Sequence, residues 1–311
     1  MIEPRPAVGC HLQPRPRAAC VTACVMPGDP LIGLLGTGWR VVRLAVVLAF
    51  ALPVSLIVSA LPGYGRQRRR SLMLQWLCRR VLAALDIRLT VVGSVRTGPG
   101  LVVANHTSWL DVLALAAGAP VVPVAKSEVA DWPIVGAVAR QCGAVLLRRR
   151  RFSDLPATVD RMAVLMRQGH RVQIFPEATT RCGRAVGEFY RAGFQAAIDA
   201  AVVVQPATVR VTQGETATTS AAFVGDDTLA DALRRTLRLR DVGVELHWLR
   251  PIPAIAGTGR APVDRAVVAR LAENAVARAL RQDVVLRRDD TAVGPLADGW
   301  LPVAVRAATR S

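Results

Sequence analysis

Four short stretches hold residue types that could move protons or bind anions. In VVANHTSWLD, residues 102–111, an apolar run ends at Ala104, Asn105 and His106 fall at a turn, and Asp111 comes five residues after His106. Five residues around a regular helix is about 500°, roughly 140° off a common face, so the pair cannot stack on one helix. It can meet if His106 sits on the loop and Asp111, in the first helical turns, reaches back. A carboxylate on one ring nitrogen fixes the tautomer and makes the other nitrogen a better base. That is the orienter-and-base half of a triad, without a protein nucleophile. Taken alone, His-x4-Asp reads more simply as a packed histidine near a helix N-terminal aspartate.

RVQIFPEATTRCG, residues 171–183, presents Glu177 just past a buried strand that Pro176 stops. A carboxylate beyond a strand's C-terminal end is where open α/β sheets hold ligands; a solvated loop glutamate is the plainer reading. GAVLLRRRR, residues 143–151, delivers Arg148 at a strand end. Arginine suits bidentate phosphate recognition, and Arg149 to Arg151 read as a solvated basic turn. Lys126 follows directly on a further strand, and it is the single lysine among 40 basic residues.

The elements that must position these groups show in composition and period. The 311 residues carry 40 basic against 23 acidic side chains, a formal charge of +17, and are 52% hydrophobic. Such a chain is not intrinsically disordered as a whole, and its charge points to a polyanion, either nucleic acid or an anionic lipid surface. No nucleic-acid motif occurs and several arginines flank an apolar helix, so the expected partner is the anionic membrane surface and not nucleic acid. Six cysteines at uneven spacing read as reduced, mostly buried thiols. Cys10, His11, Cys20 and Cys24 match no common zinc spacing, and no metal is expected.

Residues 1–30, rich in Pro and Arg, are expected to form a disordered extension, within which Met26 is a second candidate start. Leu44 to Pro62 runs 19 residues without a charge, long enough to enter or span a hydrocarbon core about 30 Å thick. Pro53 should kink that helix, so a monotopic insertion rivals a straight span. Arg66, Arg68, Arg69 and Arg70 after it, against Arg40 and Arg43 before it, place the catalytic bulk on the cytoplasmic face of the cell membrane. Ser71 to Leu85 is amphipathic, with Leu72, Trp76, Arg79 and Arg80 suited to a headgroup boundary.

Beyond it, strands are expected at residues 88–92, 101–104, 121–125, 144–148, 171–175, 202–205 and 242–249. Helices are expected at 109–117, 134–141, 154–168, 190–200, 228–239 and 264–281. This alternation predicts an α/β fold, a mixed and largely parallel sheet flanked by helices and preceded by an N-terminal membrane helix. The expected divisions are a 1–30 extension, a 31–86 anchoring unit, an 87–285 catalytic domain and a 286–311 tail.

NHTSWLD, the AKSE stretch, GAVLLRR, FPEATT and VQPATV stand in the order and rough spacing of four motif blocks. In this the chain resembles the glycerolipid acyltransferases, the 1-acylglycerol-3-phosphate acyltransferase family, over about residues 88–209. The resemblance implies a glycerol-3-phosphate acyltransferase-like fold and direct attack of a lysophospholipid hydroxyl on acyl-CoA or acyl-ACP, with no acyl-enzyme, metal or further cofactor. It implies His106 as general base and Asp111 as its orienter. Arg148 would bind the acceptor phosphate with Lys126 assisting. Phe175, Pro176, Glu177, Ala178, Thr179, Thr180 and Arg181 would form the acceptor-binding loop, and Pro206 would line the acyl cleft. The acceptor so implied is 1-acyl-sn-glycerol-3-phosphate, giving phosphatidic acid.

The family usually has F-P-E-G-T-R where this chain has Ala178 for Gly and Thr180 for Arg. Alanine is awkward there if the position needs positive φ. Loss of the arginine removes a phosphate contact that Arg181 or Arg184 could replace. Threonine at that place resembles the lyso-ornithine-lipid acyltransferases of the same superfamily, whose acceptor lacks a phosphate and is the alternative. A non-enzymatic basic membrane or nucleic-acid-binding protein is the second alternative.

Overall fold

The computed structural model describes residues 20, 24, 31–147, 154–223, 227–254, 264–281 and 284–285. Most of the 1–30 extension, residues 148–153 with Arg148 and the expected basic turn of Arg149 to Arg151, and the tail from 286 lie outside the described residues.

Short apolar, β-branched runs become strands where both faces are covered. β2 (Gly100–Ala104), β3 (Val122–Lys126), β4 (Val145–Leu147), β5 (Arg171–Ile174) and β7 (Val203–Gln213) are parallel neighbours. β1 (Arg88–Val92) and β9 (Val242–Trp248), parallel to each other, join this block antiparallel through β7. The order is β1-β9-β7-β2-β5-β3-β4, with β8 (Thr216–Ala217) and β10 (Ile252–Pro253) against β7. A separate parallel pair joins β6 (Val186–Gly187) to β11 (Val284–Val285). The mixed, largely parallel sheet read from the sequence is therefore the sheet that forms.

One strand needs correction. The run expected to end at Gln205 continues through Pro206 to Gln213. Pro206 falls between two partners of β7 on that side, since β10 pairs Val203 and Val204 and β9 pairs from Ala207 onward. The N–H that proline lacks is not missed by either ladder.

Alternation in β2 sends Leu101 and Val103 to one face and Val102 and Ala104 to the other. On the first face α6 (Leu155–Arg167), α7 (Ala192–Asp199) and α9 (Arg265–Leu280) bury Met162, Met166, Phe194 and Val276. On the second, α3 (Arg66–Ala84) and α4 (Trp109–Gly118) bury Leu74, Leu82, Leu110 and Leu115. α5 (Pro133–Gln141) and α8 (Leu229–Arg238) complete the periphery.

The apolar helix starts upstream of its charge-free run. α1 (Leu34–Val46), a π-helical turn at Val47–Ala51 and α2 (Leu52–Ala60) form one helix of 27 residues. The wide turn stands just ahead of Pro53, where an i→i−4 donor is missing, and the helix continues through it. Its two faces differ. Arg40, 4% exposed, donates to Leu237 O at 3.2 Å and Leu239 O at 2.6 Å, at the end of α8. Ser55 and Ser59 are buried, and Gln141 of α5 donates to Leu56 O at 2.9 Å. Leu35, Trp39, Val42, Val46, Phe50, Ile57 and Leu61 lie exposed, mostly at three- and four-residue intervals.

α3 is more deeply committed to the domain than a headgroup-boundary helix. Its Leu74–Cys78–Leu82 face enters the core. Arg79 donates to Ala117 O at 2.8 Å, satisfying the C-terminal end of α4. Arg69 and Arg70 donate to Val58 O (3.1 Å) and Ser59 O (3.2 Å) at the end of α2. Arg80, stacked over Trp76 at 5.5 Å, keeps the exposed position expected of it.

Candidate active site

Because β2, β3 and β5 are parallel, their C-terminal ends deliver His106, Lys126 and Phe175 to one edge of the sheet. There the chain turns from β2 into α4. Ser108 is the helix N-cap, and Asp111, third in the helix, closes a capping box with it. Asp111 is fully buried. Its Oδ2 accepts from Thr107 N at 2.5 Å and Ser108 N at 2.8 Å and lies 3.0 Å from His106 Nδ1. An oxygen that already accepts two amides is an acceptor toward the ring as well, so the shared proton belongs to Nδ1. Nε2 then carries the free lone pair. The ring lies flat on Phe175, centroids 3.9 Å apart and planes 12° from parallel. The His106 side chain is 20% exposed, so its outer nitrogen can be reached.

The loop after β5 closes over the same turn. Glu177 stands just past β5 at this edge, but it is buried, so the plainer reading of a solvated loop glutamate is corrected. Its Oε1 accepts from His106 N at 2.9 Å and its Oε2 from Gly187 N at 2.8 Å. Arg181 N donates to His106 O at 2.9 Å, so both backbone groups of His106 are held by this loop. Arg181 Nε lies 3.1 Å from Glu177 Oε2, at ion-pair distance although off the hydrogen-bond direction. A Cβ at Gly187 would meet the Arg181 guanidinium, which would have to move to admit it. Burial pushes the Glu177 carboxyl up to about 7, against the two amides and Arg181, which favour its charged form.

Pro176 O accepts from Tyr190 N at 2.9 Å, and Thr179 and Thr180 lie half-buried on the loop. Ala178 has φ +56°, so the position does require the left-handed conformation that glycine adopts without cost. Lys126 is exposed and its Cα pairs in register with Leu147, the residue before Arg148. Arg148 itself lies outside the described residues.

Three contributors escaped the sequence reading. Asn105 Nδ2 donates to Val209 O at 2.8 Å and its Oδ1 accepts from Val209 N at 2.9 Å, tying the end of β2 to β7. Ser108 was legible as the start of a capping pattern. Gly187, ten residues from the carboxylate it donates to, left no local signal.

Residues 87–210 match the acyltransferase family. The chain is 34% identical over 244 residues to the lyso-ornithine lipid O-acyltransferase of Pseudomonas aeruginosa, across 78% of this chain and 92% of that one. It is 35% identical over 178 residues to the 1-acyl-sn-glycerol-3-phosphate acyltransferase of Neisseria meningitidis, 56% of this chain and 69% of the other. Its fold is similar to the crystal structure of the 1-acyl-sn-glycerophosphate acyltransferase of Thermotoga maritima, with TM-score 0.60 and 20% identity over 80% of this chain and 94% of that one. Every described residue of the edge site lies within the stretch that matches. A likeness that covers 92% of one relative and passes through the whole of the His106 turn makes this chain an acyltransferase enzyme, a member of the family of lysophospholipid acyltransferase homologues.

Proposed function

We propose that the chain moves a fatty acyl group from acyl-CoA or acyl-ACP to the free hydroxyl of a lysolipid, with His106 as general base. The observation that carries this reading is the 3.0 Å contact between His106 Nδ1 and a buried, amide-bonded Asp111 carboxylate. The acceptor hydroxyl gives its proton to Nε2 as its oxygen attacks the thioester carbonyl. Asp111 supports the resulting imidazolium. Collapse of the tetrahedral intermediate breaks the C–S bond, and the imidazolium returns the proton to the departing thiolate. Glu177 holds the His106 backbone and is a positioning residue, while Phe175 fixes the ring plane. Lys126 and Arg148 supply cations for the phosphates of donor or acceptor.

For the acceptor we favour a lyso-ornithine lipid, with 1-acyl-sn-glycerol-3-phosphate as the second reading. Thr180 offers no guanidinium, and Arg181 lies against Glu177. The longest match among the relatives described above, that of the Pseudomonas protein, favours the same order.

The exposed apolar stripe of Leu34–Ala60 supports membrane association. Because Arg40 toward one end and Leu56 toward the other both bond to the domain, we read the helix as an in-plane anchor on the cytoplasmic face. Within the 31–86 unit the Leu34–Ala60 helix serves as this anchor, while α3 packs into the core of the 87–285 catalytic domain.

The test is radiolabelled acyl transfer by the membrane-bound protein against both acceptors. His106→Ala should lose at least about 1,000-fold in rate. Transfer at the normal rate by His106→Ala would remove the assigned base. Preference for 1-acyl-sn-glycerol-3-phosphate would reverse the acceptor order and leave the base intact.

A further inference from the structure

Cys20 and Cys24 belong to a stretch with no apolar period, yet both are buried, at 3% and 8% exposure. They meet Cys182, itself 3% exposed and 162 residues beyond Cys20. The three Sγ atoms all lie within 4.8 Å of one another. The Cys182 amide donates to Cys20 Sγ at 3.1 Å, and Thr219 Oγ1 donates to Cys24 O at 2.8 Å. Cys182 immediately follows Arg181, whose amide bonds to His106 O. The cluster is therefore joined by one residue to the loop that holds the His106 carbonyl.

We propose that Cys20, Cys24 and Cys182 bind one thiolate-preferring divalent cation, with zinc the best fit, that clamps the N-terminal segment to the Glu177–Arg181 loop. Tetrahedral zinc with Zn–S near 2.3 Å places its sulfurs roughly 3.8 Å apart, which three thiols already inside 4.8 Å reach by small rotations. A disulfide would join only two of the three sulfurs.

An amide directed at sulfur favours the thiolate that a metal requires. Binding releases three thiol protons, and three thiolates around a divalent ion leave a net charge of −1. A fourth position goes to water or another ligand. With sulfur donors on three sides, soft-ligand preference excludes magnesium and calcium. The ion takes no part in acyl transfer; it stiffens the loop that bonds to both backbone groups of His106.

The experiment uses the full-length chain, purified in detergent under reducing conditions from cells grown with added zinc. Elemental analysis should find about one zinc per chain. Substituting cobalt should give a thiolate-to-cobalt charge-transfer band. Cys182→Ser and Cys24→Ser should each cut the metal content at least about tenfold, while Cys24→His, which keeps a zinc ligand, should retain it. Cys78→Ser, altering a buried thiol outside the cluster, should leave it unchanged.

Thiol titration adds a readout independent of the variants. Burial pushes Cys78 up to about 12 and Cys142 up to about 11, so these two stay silent in the folded protein. A strong chelator should therefore expose about three further thiols. Substoichiometric metal in the unaltered chain, equal metal in Cys182→Ser, or a disulfide among the three would overturn the proposal. None of these outcomes bears on His106.

Discussion

Glu177 shows how one side chain can serve a site by what it holds rather than by what it reaches. Both of its oxygens are spent on backbone amides, one of them the amide of His106. Gln in its place keeps one acceptor and turns an NH2 group toward the other N–H, so Glu177→Gln should lower kcat by about 10–100-fold, most of it through a misplaced ring. The same residue gives stability a pH dependence. Its folded pKa of about 7 stands above the ordinary 4.5, so between those values the folded chain holds more protons than the unfolded one. Stability from this group is therefore fully present below about 4.5 and is lost as pH rises toward 7. Gln does not titrate, so the melting temperature of the unaltered chain relative to Glu177→Gln should fall from pH 5 to pH 7.5. A constant difference across that range would show that Glu177 does not titrate there.

Ala178, at φ +56°, gives a second residue-level test. Ala178→Gly should change stability by no more than about 1 kcal/mol, relief of strain being offset by a freer unfolded chain. Ala178→Val, β-branched in the left-handed region, should lower the melting temperature by several degrees. The meeting of His106 and Asp111 was legible as an arrangement that the spacing permits, with His106 on the loop and Asp111 in the first helical turns, although the pattern alone reads more simply as a packed histidine. The burial of Glu177 was not legible, because its second amide comes from Gly187 on a different strand.

Elements were read well where a local period decides and poorly where a neighbour does. α4, α6 and α9 follow from apolar spacing and their flanking residues, within about two residues at each end. β7 escaped because a proline inside a strand is harmless only when its partners leave a gap there, which depends on β9 and β10. The anchor helix was found by its charge-free run, but its orientation depends on Arg40 and Leu56, whose partners lie in α8 and α5.

That placement can be measured. Leu35 and Ile57 are separated by 22 residues, about 33 Å along a helix. Spin labels on Leu35→Cys and Ile57→Cys should report similar shallow depths in a bilayer if the helix lies in plane. Labels found in opposite leaflets would show that it spans.

For the whole molecule, the +17 charge does not say which guanidinium groups are free to touch a lipid headgroup. Arg40, Arg69, Arg70 and Arg79 spend their guanidinium groups on carbonyl oxygens, and Arg235 pairs with Asp227 at 2.7 Å. Composition could point to a polyanion, but it could not show which arginines the fold consumes, because that is fixed by tertiary contacts. The remaining surface charge attracts anionic lipid at about 1 kcal/mol per residue near the interface and is screened over about 8 Å at physiological salt. The exposed stripe adds apolar burial, about 1.5–3 kcal/mol for each large side chain that leaves water.

If both forces act, removing the apolar one should reveal the other. Trp39→Ser with Phe50→Ser exchanges two side chains that are 63% and 71% exposed, at little cost to the fold. The unaltered chain should float with anionic vesicles at both 0.1 and 1 M salt. The double variant should float at the lower salt and be lost at the higher, because charge alone then holds it. A double variant that floats equally well in high salt would mean that other parts of the chain provide the anchor. Release of the unaltered chain by salt would mean that its apolar stripe does not enter the bilayer.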